Sequence, residues 1–304
     1  MNPTQLQRPA FLMNAPFSYS TAEANNVWMQ EMTEAERIPD RKRSMVQFLK
    51  LYNFLAAEAL VYLLPIPRIE GLQDLVFTAN LGIVLEHVEG KNTVVISNYS
   101  SAPRQGETEV GMRFFESMGY QTYVPDAKFE GEAELKPLYD NIYVGGYGIR
   151  SDPEVYNWMK RIFDMRIIRL KMIDPYLYHL DCSVFPITKE QTLVCTQLYD
   201  EKEIKELEKY TEIIDVSKES ATAGLCNSVR LNNTILCASD IHDLKAGTEG
   251  YVIEAAKNRE LEDIAGKLAF EVTLFNLSEY QKSGAMLSCM MMHLNRHSYS
   301  FRLV

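Results

Sequence analysis

Two hydrophobic rhythms alternate along the chain. Short apolar runs rich in β-branched residues, at LVFTANLGIVL (75–85), TVVISNYS (93–100), NIYVGGYGI (141–149), RIIRLKMI (166–173), TLVCTQLY (192–199), TEIIDV (211–216) and NTILCAS (233–239), read as strands. Between them lie segments with the spacing of an amphipathic helix: ETEVGMRFFESMGY (107–120), PEVYNWMKRIFDM (153–165), EKEIKELEKY (201–210) and a long one from Gly250 to Leu268. Such alternation predicts an α/β fold. The second of these helices has a marked start, because Ser151 or Asp152 can cap it and Pro153 is a first helical residue that needs no amide hydrogen. Residues 32–64 read as a helix pair broken near Pro39, with a solvated charged face, and KSGAMLSCMMMHLNR (282–296) as a small-residue turn before a methionine-rich helix. No low-complexity or Pro/Ser-rich linker divides the pattern, so one domain over 1–304 is expected.

Composition narrows the partners. The 304 residues are 46% hydrophobic and 24% charged, enough for a sizeable core. With 41 acidic against 31 basic side chains the formal charge is −10, which disfavours nucleic acid or an anionic membrane and suits a small cationic ligand. Cysteines at 182, 195, 226, 237 and 289 are odd in number and show no C-x-x-C spacing, so reduced thiols in the cytoplasm are expected. The apolar run Leu55–Pro67 contains Glu58 and is too short to span a bilayer, and the first residues lack a basic then apolar leader. Neither a membrane nor a targeting segment is expected.

Several segments carry candidate chemistry, each with a plainer reading beside it. Cys289, His293 and His297 are spaced i, i+4 and i+8, so a continuous helix would place them on one face as a metal site needs, but a fourth ligand is not evident and no metal is expected. Cys289 alone reads equally as a small buried hydrophobe. DLVFTAN (74–80) is a strand flanked by Asp74 and Asn80, or an ordinary strand-to-turn transition. In FEGEAELK (129–136), Glu130 stands before Gly131, where a flexible backbone can aim a carboxylate into a cleft, or it belongs to a surface acidic loop. YVGGYGIR (143–150) ends a strand in glycines ahead of Arg150 but has neither G-x-G-x-x-G spacing nor a P-loop lysine, so no nucleotide cofactor is expected. In YHLDCSVFPI (178–187), His179 and Asp181 alternate with Leu180 and so share one face of a strand.

In this order, DLVFTAN, FEG, a glycine-rich strand with arginine, HLD and S-G-A-x-x-x-C, the segments resemble the guanidine-modifying superfamily of arginine deiminases, arginine dihydrolases, dimethylargininases and amidinotransferases. The resemblance covers about residues 9 to 296. It implies a five-bladed, pseudo-symmetric α/β propeller of ββαβ modules, although no fivefold repeat is visible in the sequence. It implies further that Cys289 is the nucleophile, that His179 serves as acid and base with Glu130 orienting it, and that Asp74, Asn80 and Asp181 hold the guanidino group. A guanidinium carbon resists water, so a strong nucleophile and carboxylates that grip its planar fork of donors suit the chemistry. Asn26, from the opening segment FLMNAPFSYSTAEANNVWM, takes a substrate-holding position, and Arg104 and Arg150 either engage a substrate carboxylate or form structural ion pairs. The chain departs from the family pattern at Val27 for proline, at Ala15–Pro16 for a proline pair, and at Glu132 and Ala133 for glycine and aspartate.

Two positions tilt the substrate. Dimethylargininases lack an aspartate two residues after the histidine, whereas Asp181 is present and favours unsubstituted terminal nitrogens. Asn80, where deiminases and dimethylargininases carry an acid, resembles the arginine dihydrolases, which form ornithine, carbon dioxide and ammonia. The expectation is an amidine hydrolase of dihydrolase or deiminase type acting on free arginine. An amidinotransferase, a dimethylargininase and a non-catalytic binding propeller stand as alternatives, and homo-oligomerisation is left open. Longer dihydrolases add a C-terminal domain, so no coupled ornithine chemistry is expected of a chain ending at Val304.

Overall fold

One unit recurs along the chain: two antiparallel strands, a helix, and a third strand parallel to the second. The structure, a computed structural model, describes residues 2–65, 67 and 71–301. It opens with β1 (Ala10–Met13), α1 (Val27–Glu31), α2 (Glu34–Arg37), α3 (Arg41–Glu58) and β2 (Leu60–Leu63). Next come β3 (Gly82–Val84), β4 (Thr93–Ile96), α4 (Glu107–Ser117) and β5 (Gln121–Tyr123), then β6 (Leu135–Tyr139), β7 (Ile142–Tyr147), α5 (Pro153–Phe163) and β8 (Arg166–Lys171). The pattern repeats through β9 (Val184–Pro186), β10 (Gln191–Val194), α6 (Glu201–Leu207) and β11 (Glu212–Asp215). After α7 (Lys218–Thr222) it repeats again through β12 (Val229–Leu231), β13 (Thr234–Ala238), α8 (Glu249–Lys267) and β14 (Glu271–Phe275). The short α9 (Ser278–Gln281) then leads to β15 (Met292–His293).

Among the described residues the strands form five three-stranded sheets of one design. Each middle strand, β4, β7, β10 or β13, pairs antiparallel with the strand before it and parallel with the one after. The remaining sheet joins distant parts of the chain, with β1 parallel to β2 and antiparallel to β15, where Phe11 faces His293. A parallel neighbour requires a crossover, and a helix supplies it in every unit.

Local sequence explains the helices. Asp152 precedes Pro153 at the start of α5, and Asp40 caps α3 through the Arg43 amide just after the break at Pro39. Val155, Tyr156, Met159 and Phe163 put one face of α5 into a core with Ile83, Val95, Phe129 and Tyr143. The paired glycines of β7 make room for it: a Cβ at Gly145 would lie 2.7 Å from the Tyr156 ring, whose hydroxyl donates to the Gly146 carbonyl at 2.5 Å.

Three expected elements take another form. Of 75–85 only β3 is strand, and Thr78–Asn80 is a single 3-10 turn, because Thr78 Oγ1 donates to the carbonyls of Leu12 and Met290 and Arg104 binds the carbonyls of Asp74 and Phe77. His179 is extended, but Leu180–Cys182 is also a 3-10 turn, so His179 and Asp181 do not share a strand face. Cys289 lies in a third such turn, Ser288–Met290, and the chain then becomes β15, since edge pairing with β1 outweighs helix formation. The metal-like face of Cys289, His293 and His297 therefore does not exist as a helix face. Ile66, inside the apolar run Leu55–Pro67, lies outside the described residues; Leu55–Leu63 divides between α3 and β2. Among the described residues no helix is long and apolar enough to cross a membrane.

Candidate active site

The turns that precede the antiparallel edge strand of each of the five sheets carry the polar side chains of one buried site. Asp74 and Asn80 lie ahead of β3, Glu130 ahead of β6, His179 and Asp181 ahead of β9, Asn227 ahead of β12 and Cys289 ahead of β15. A cavity of about 20 Å³ is bounded by Asp74, Asn80, His179 and Cys289, with Asn26, Arg104 and Arg150 also in its wall. Glu130 stands behind His179, and Asp181 reaches the thiol from the side. A separate cavity of about 640 Å³, bordered by Trp28, Cys182, Asn227 and Met286, lies beyond this set and contains neither His179 nor Cys289.

His179 Nε2 is 2.8 Å from Glu130 Oε2. The other Glu130 oxygen accepts from Ser100 Oγ at 2.7 Å and the Ser100 amide at 3.2 Å, and Arg150 Nη1 lies 3.4 Å from Oε2. Burial opposes ionisation of Glu130, but the His179 hydrogen bond and then the Arg150 charge hold its carboxyl well below the usual range. Burial depresses His179 against the pull of Glu130, leaving a neutral imidazole beside a carboxylate. That is the arrangement of an oriented general base.

Cys289 Sγ lies 3.5 Å from Asn227 Nδ2 and 3.9 Å from Asp181 Oδ2. Asp181 Oδ2 also accepts from Ser288 Oγ at 2.5 Å, which ties it to the residue before the thiol. Burial first, and the Asp181 charge second, push the thiol up to about 12. Opposite it, Asp74 is buried and its carboxyl is raised by that burial, while Asn25 and Gln73 donate to its Oδ2 at 2.6 and 3.2 Å. Asn80 Nδ2 is buried with no hydrogen-bond partner among the described residues.

The remaining candidates have internal bonds that limit their freedom. Arg104 makes a two-pronged pair with Glu107 at 2.7 and 3.0 Å and lies over the Tyr99 ring. Arg150 donates to the Asn25 carbonyl at 2.8 Å and covers Tyr178. Asn26 caps α1 through the Met29 amide and donates to the Ser283 carbonyl at 2.9 Å, closing the opening loop over the turn before Cys289. Sequence reasoning missed Asn25, Ser100, Tyr178, Ser283 and Asn227. Asn25 and Tyr178 adjoin residues it did select, whereas nothing in LCNSVR singles out Asn227.

Glu132, one of the departures from the family pattern, has a separate role in the fold. It accepts from His293 Nδ1 at 2.5 Å, from the His293 amide at 2.8 Å and from Arg296 at 2.6 Å, so it joins the turn before β6 to β15.

Residues 14–296 match the family described as N,N dimethylarginine dimethylhydrolase, eukaryotic. The chain is 28% identical over 289 residues to the bifunctional arginine dihydrolase/ornithine cyclodeaminase AgrE of Nostoc sp., covering 93% of this chain but only 37% of the length of that relative. The substrate-bound N-terminal domain of ArgZ, a cyanobacterial arginine dihydrolase, is similar with a TM-score of 0.80 at 26% identity, over 94% of this chain and 98% of that one. A second structure of that domain, covalently bound to a reaction intermediate, has a TM-score of 0.80 at 25% identity, over 94% of this chain and 97% of that one. By sequence over nearly its whole length, and with a buried thiol, imidazole and carboxylates set in five like sheets, the chain belongs to the N,N-dimethylarginine dimethylhydrolase family.

Proposed function

We propose that the protein is a cysteine-dependent hydrolase that takes free L-arginine to ornithine, carbon dioxide and ammonia. The observation that carries this reading is Asn80: an uncharged amide, with its Nδ2 buried and unpartnered, in the wall of the cavity that holds Cys289 and His179. An unsatisfied buried donor is costly, and an acceptor on a ligand relieves it. The oxygen of a ureido group is such an acceptor, so the site suits citrulline as an intermediate as well as arginine as substrate. The covalent intermediate named for the similar ArgZ domain supports a thiol route.

In this reading Asp74 and Asp181 accept from the guanidinium nitrogens. The cation cancels the Asp181 charge that opposes ionisation of Cys289, and the thiol proton passes to His179 as substrate settles. Sulfur attacks the guanidino carbon, His179 protonates the departing ammonia, and a thiouronium remains on Cys289. His179, oriented by Glu130, then takes a proton from water, whose oxygen adds to the carbon and expels the thiolate. A second thiolate attack, on the ureido carbon, expels the other terminal nitrogen as ammonia and leaves a thiocarbamate on Cys289; water then displaces the thiolate, and the carbamate of ornithine so formed loses carbon dioxide. Arg150 and Arg104 face the carboxylate end of the substrate. A cavity of about 20 Å³ holds about one water, so arginine enters only when the loop carrying Asn25 and Asn26 moves.

The five like sheets are read as blades of one closed five-bladed propeller, a single domain over 1–304, with the five turns meeting at its axis. The free cysteines suit a reducing compartment, and the cytoplasm is the proposed location. Incubation with arginine, followed by mass spectrometry, tests the assignment. Ornithine with about two ammonia per carbon dioxide, the stoichiometry of removing both nitrogens, is expected. Accumulated citrulline would replace it by a deiminase, and untouched arginine would end it.

A further inference from the structure

Four of the five turns ahead of the sheets supply residues to the reaction proposed above. The fifth, ahead of β12, holds Asn227. Its side chain is 3% exposed and bridges the backbone and the sulfur: Oδ1 accepts from the Ser288 amide at 2.9 Å, and Nδ2 lies 3.5 Å from Cys289 Sγ. The Ser288 amide lies nearer Oδ1 than the Asn227 carbonyl, which is at 3.4 Å, and Sγ lies nearer Nδ2 than Oδ1, which is at 3.8 Å, so the oxygen faces Ser288 and the NH₂ faces the sulfur.

We propose that Asn227 is a catalytic residue, the donor that stabilises negative charge on the Cys289 sulfur, and that it is the fifth unit's contribution to the site. The surroundings otherwise disfavour that charge, since the thiol is buried and Asp181 Oδ2 is 3.9 Å away. Among the groups that oppose this, the Asn227 hydrogen bond lowers the thiol's affinity for its proton. A neutral donor is well matched to the task, because a lysine or arginine here would repel the incoming guanidinium, and an amide has no proton to exchange with His179. A donor preorganised by a second bond needs no rearrangement when the charge forms.

The inference rests on Cys289 being the nucleophile of the proposed function, but not on arginine being the substrate. Modification of Cys289 by iodoacetamide, read peptide by peptide by mass spectrometry across a pH series without substrate, tests it on the wild type and on Asn227→Ala and Asn227→Asp. Aspartate keeps the shape and the acceptor for Ser288 while replacing the donor by a negative oxygen. Well below the thiol's midpoint the rate of modification follows the thiolate fraction, so at each such pH the rate at Cys289 is expected to fall about tenfold in the alanine variant and further in the aspartate variant. With arginine, kcat is expected to fall roughly tenfold to a thousandfold at little-changed KM. A purely structural Asn227 predicts that the alanine variant reacts at the wild-type rate, and that result overturns the proposal; the aspartate charge slows the thiol under either reading and sets the scale. If the alanine variant does not fold, Asn227→Leu, uncharged, of similar size and without a donor, decides by the same rate. A slowed Cys289 in a protein that leaves arginine untouched would end the arginine assignment and retain Asn227.

Discussion

Burial and Asp181 favour the protonated thiol at Cys289, and in the proposed reaction the proton is held until the cationic substrate arrives, which sets what replacement of Cys289 does. Serine fills nearly the same volume, but an alkoxide is not reachable in a site that already raises the far more acidic thiol to about 12. Cys289→Ser is therefore expected to lose turnover by at least about a thousandfold with an unchanged unfolding midpoint, measured by arginine consumption and urea titration. Residual activity within tenfold of the wild type would end the covalent route. In the proposed reaction Asn80 separates one hydrolysis from two. An aspartate there sets an unpaired carboxylate beside the ureido oxygen at a cost of about 1–3 kcal/mol, felt mainly in the second step. Asn80→Asp is expected to accumulate citrulline, visible by chromatography, while still consuming arginine. These residues were legible in the sequence because the reaction demands particular types: a thiol, an imidazole with a carboxylate, and acceptors for a planar cation. Asn227 was not, since its importance comes from what stands opposite it.

At the scale of elements, α4, α5, α6 and α8 were readable because their apolar residues recur at a helical period, with Pro153 marking the start of α5 and side-chain caps from Asp200 and Thr248 starting α6 and α8. Three of the turns that hold the site, at Thr78–Asn80, Leu180–Cys182 and Ser288–Met290, were read as strands or as a helix. Leu75, Val76, Phe77, Ala79 and Leu81 are all buried, so this segment is apolar on every side and carries no period that would distinguish a turn from a strand. Its hydrogen bonds run to Leu12, Met290 and Arg104, far away in sequence, and local propensity cannot report them. Gly131 shows how closely these turns are fitted. Its φ is +64°, and a Cβ there would lie 2.7 Å from the Ala79 carbonyl oxygen and 2.9 Å from the Asn80 carbonyl carbon. Gly131→Ala is expected to cost about 1–3 kcal/mol of stability by urea unfolding and, through displaced Glu130 and Asn80, most of the activity. Activity retained in a destabilised protein would show that the two turns move independently.

Taken whole, the molecule hides its second histidine–carboxylate pair in the join between its distant ends. Burial depresses His293 from 6.5 to about 4, against the pull of Glu132, and its Nε2 has no partner among the described residues. Between those values the unfolded chain binds a proton that the folded one refuses, so stability falls as pH falls from 6.5 towards 4. The loss from this group is about 2 kcal/mol between pH 7 and pH 5, with depressed His179 adding in the same direction. Glu132, also depressed, contributes a further loss only below its ordinary value of 4.5. His293→Asn, which keeps a donor for Glu132 but does not titrate, is expected to flatten this part of the curve in urea titrations at the two pH values. An unaltered slope would assign the acid sensitivity elsewhere. The pairing of Phe11 with His293 also imposes a timetable on synthesis. β1 and β2 leave the ribosome long before β15, so one edge of β1 stays open until then, and Cys289 emerges only just before that strand. Under the proposed function a partly made chain thus holds the imidazole, the carboxylates and the arginines without a nucleophile, and chemistry on a guanidino group waits for the segment that closes this sheet.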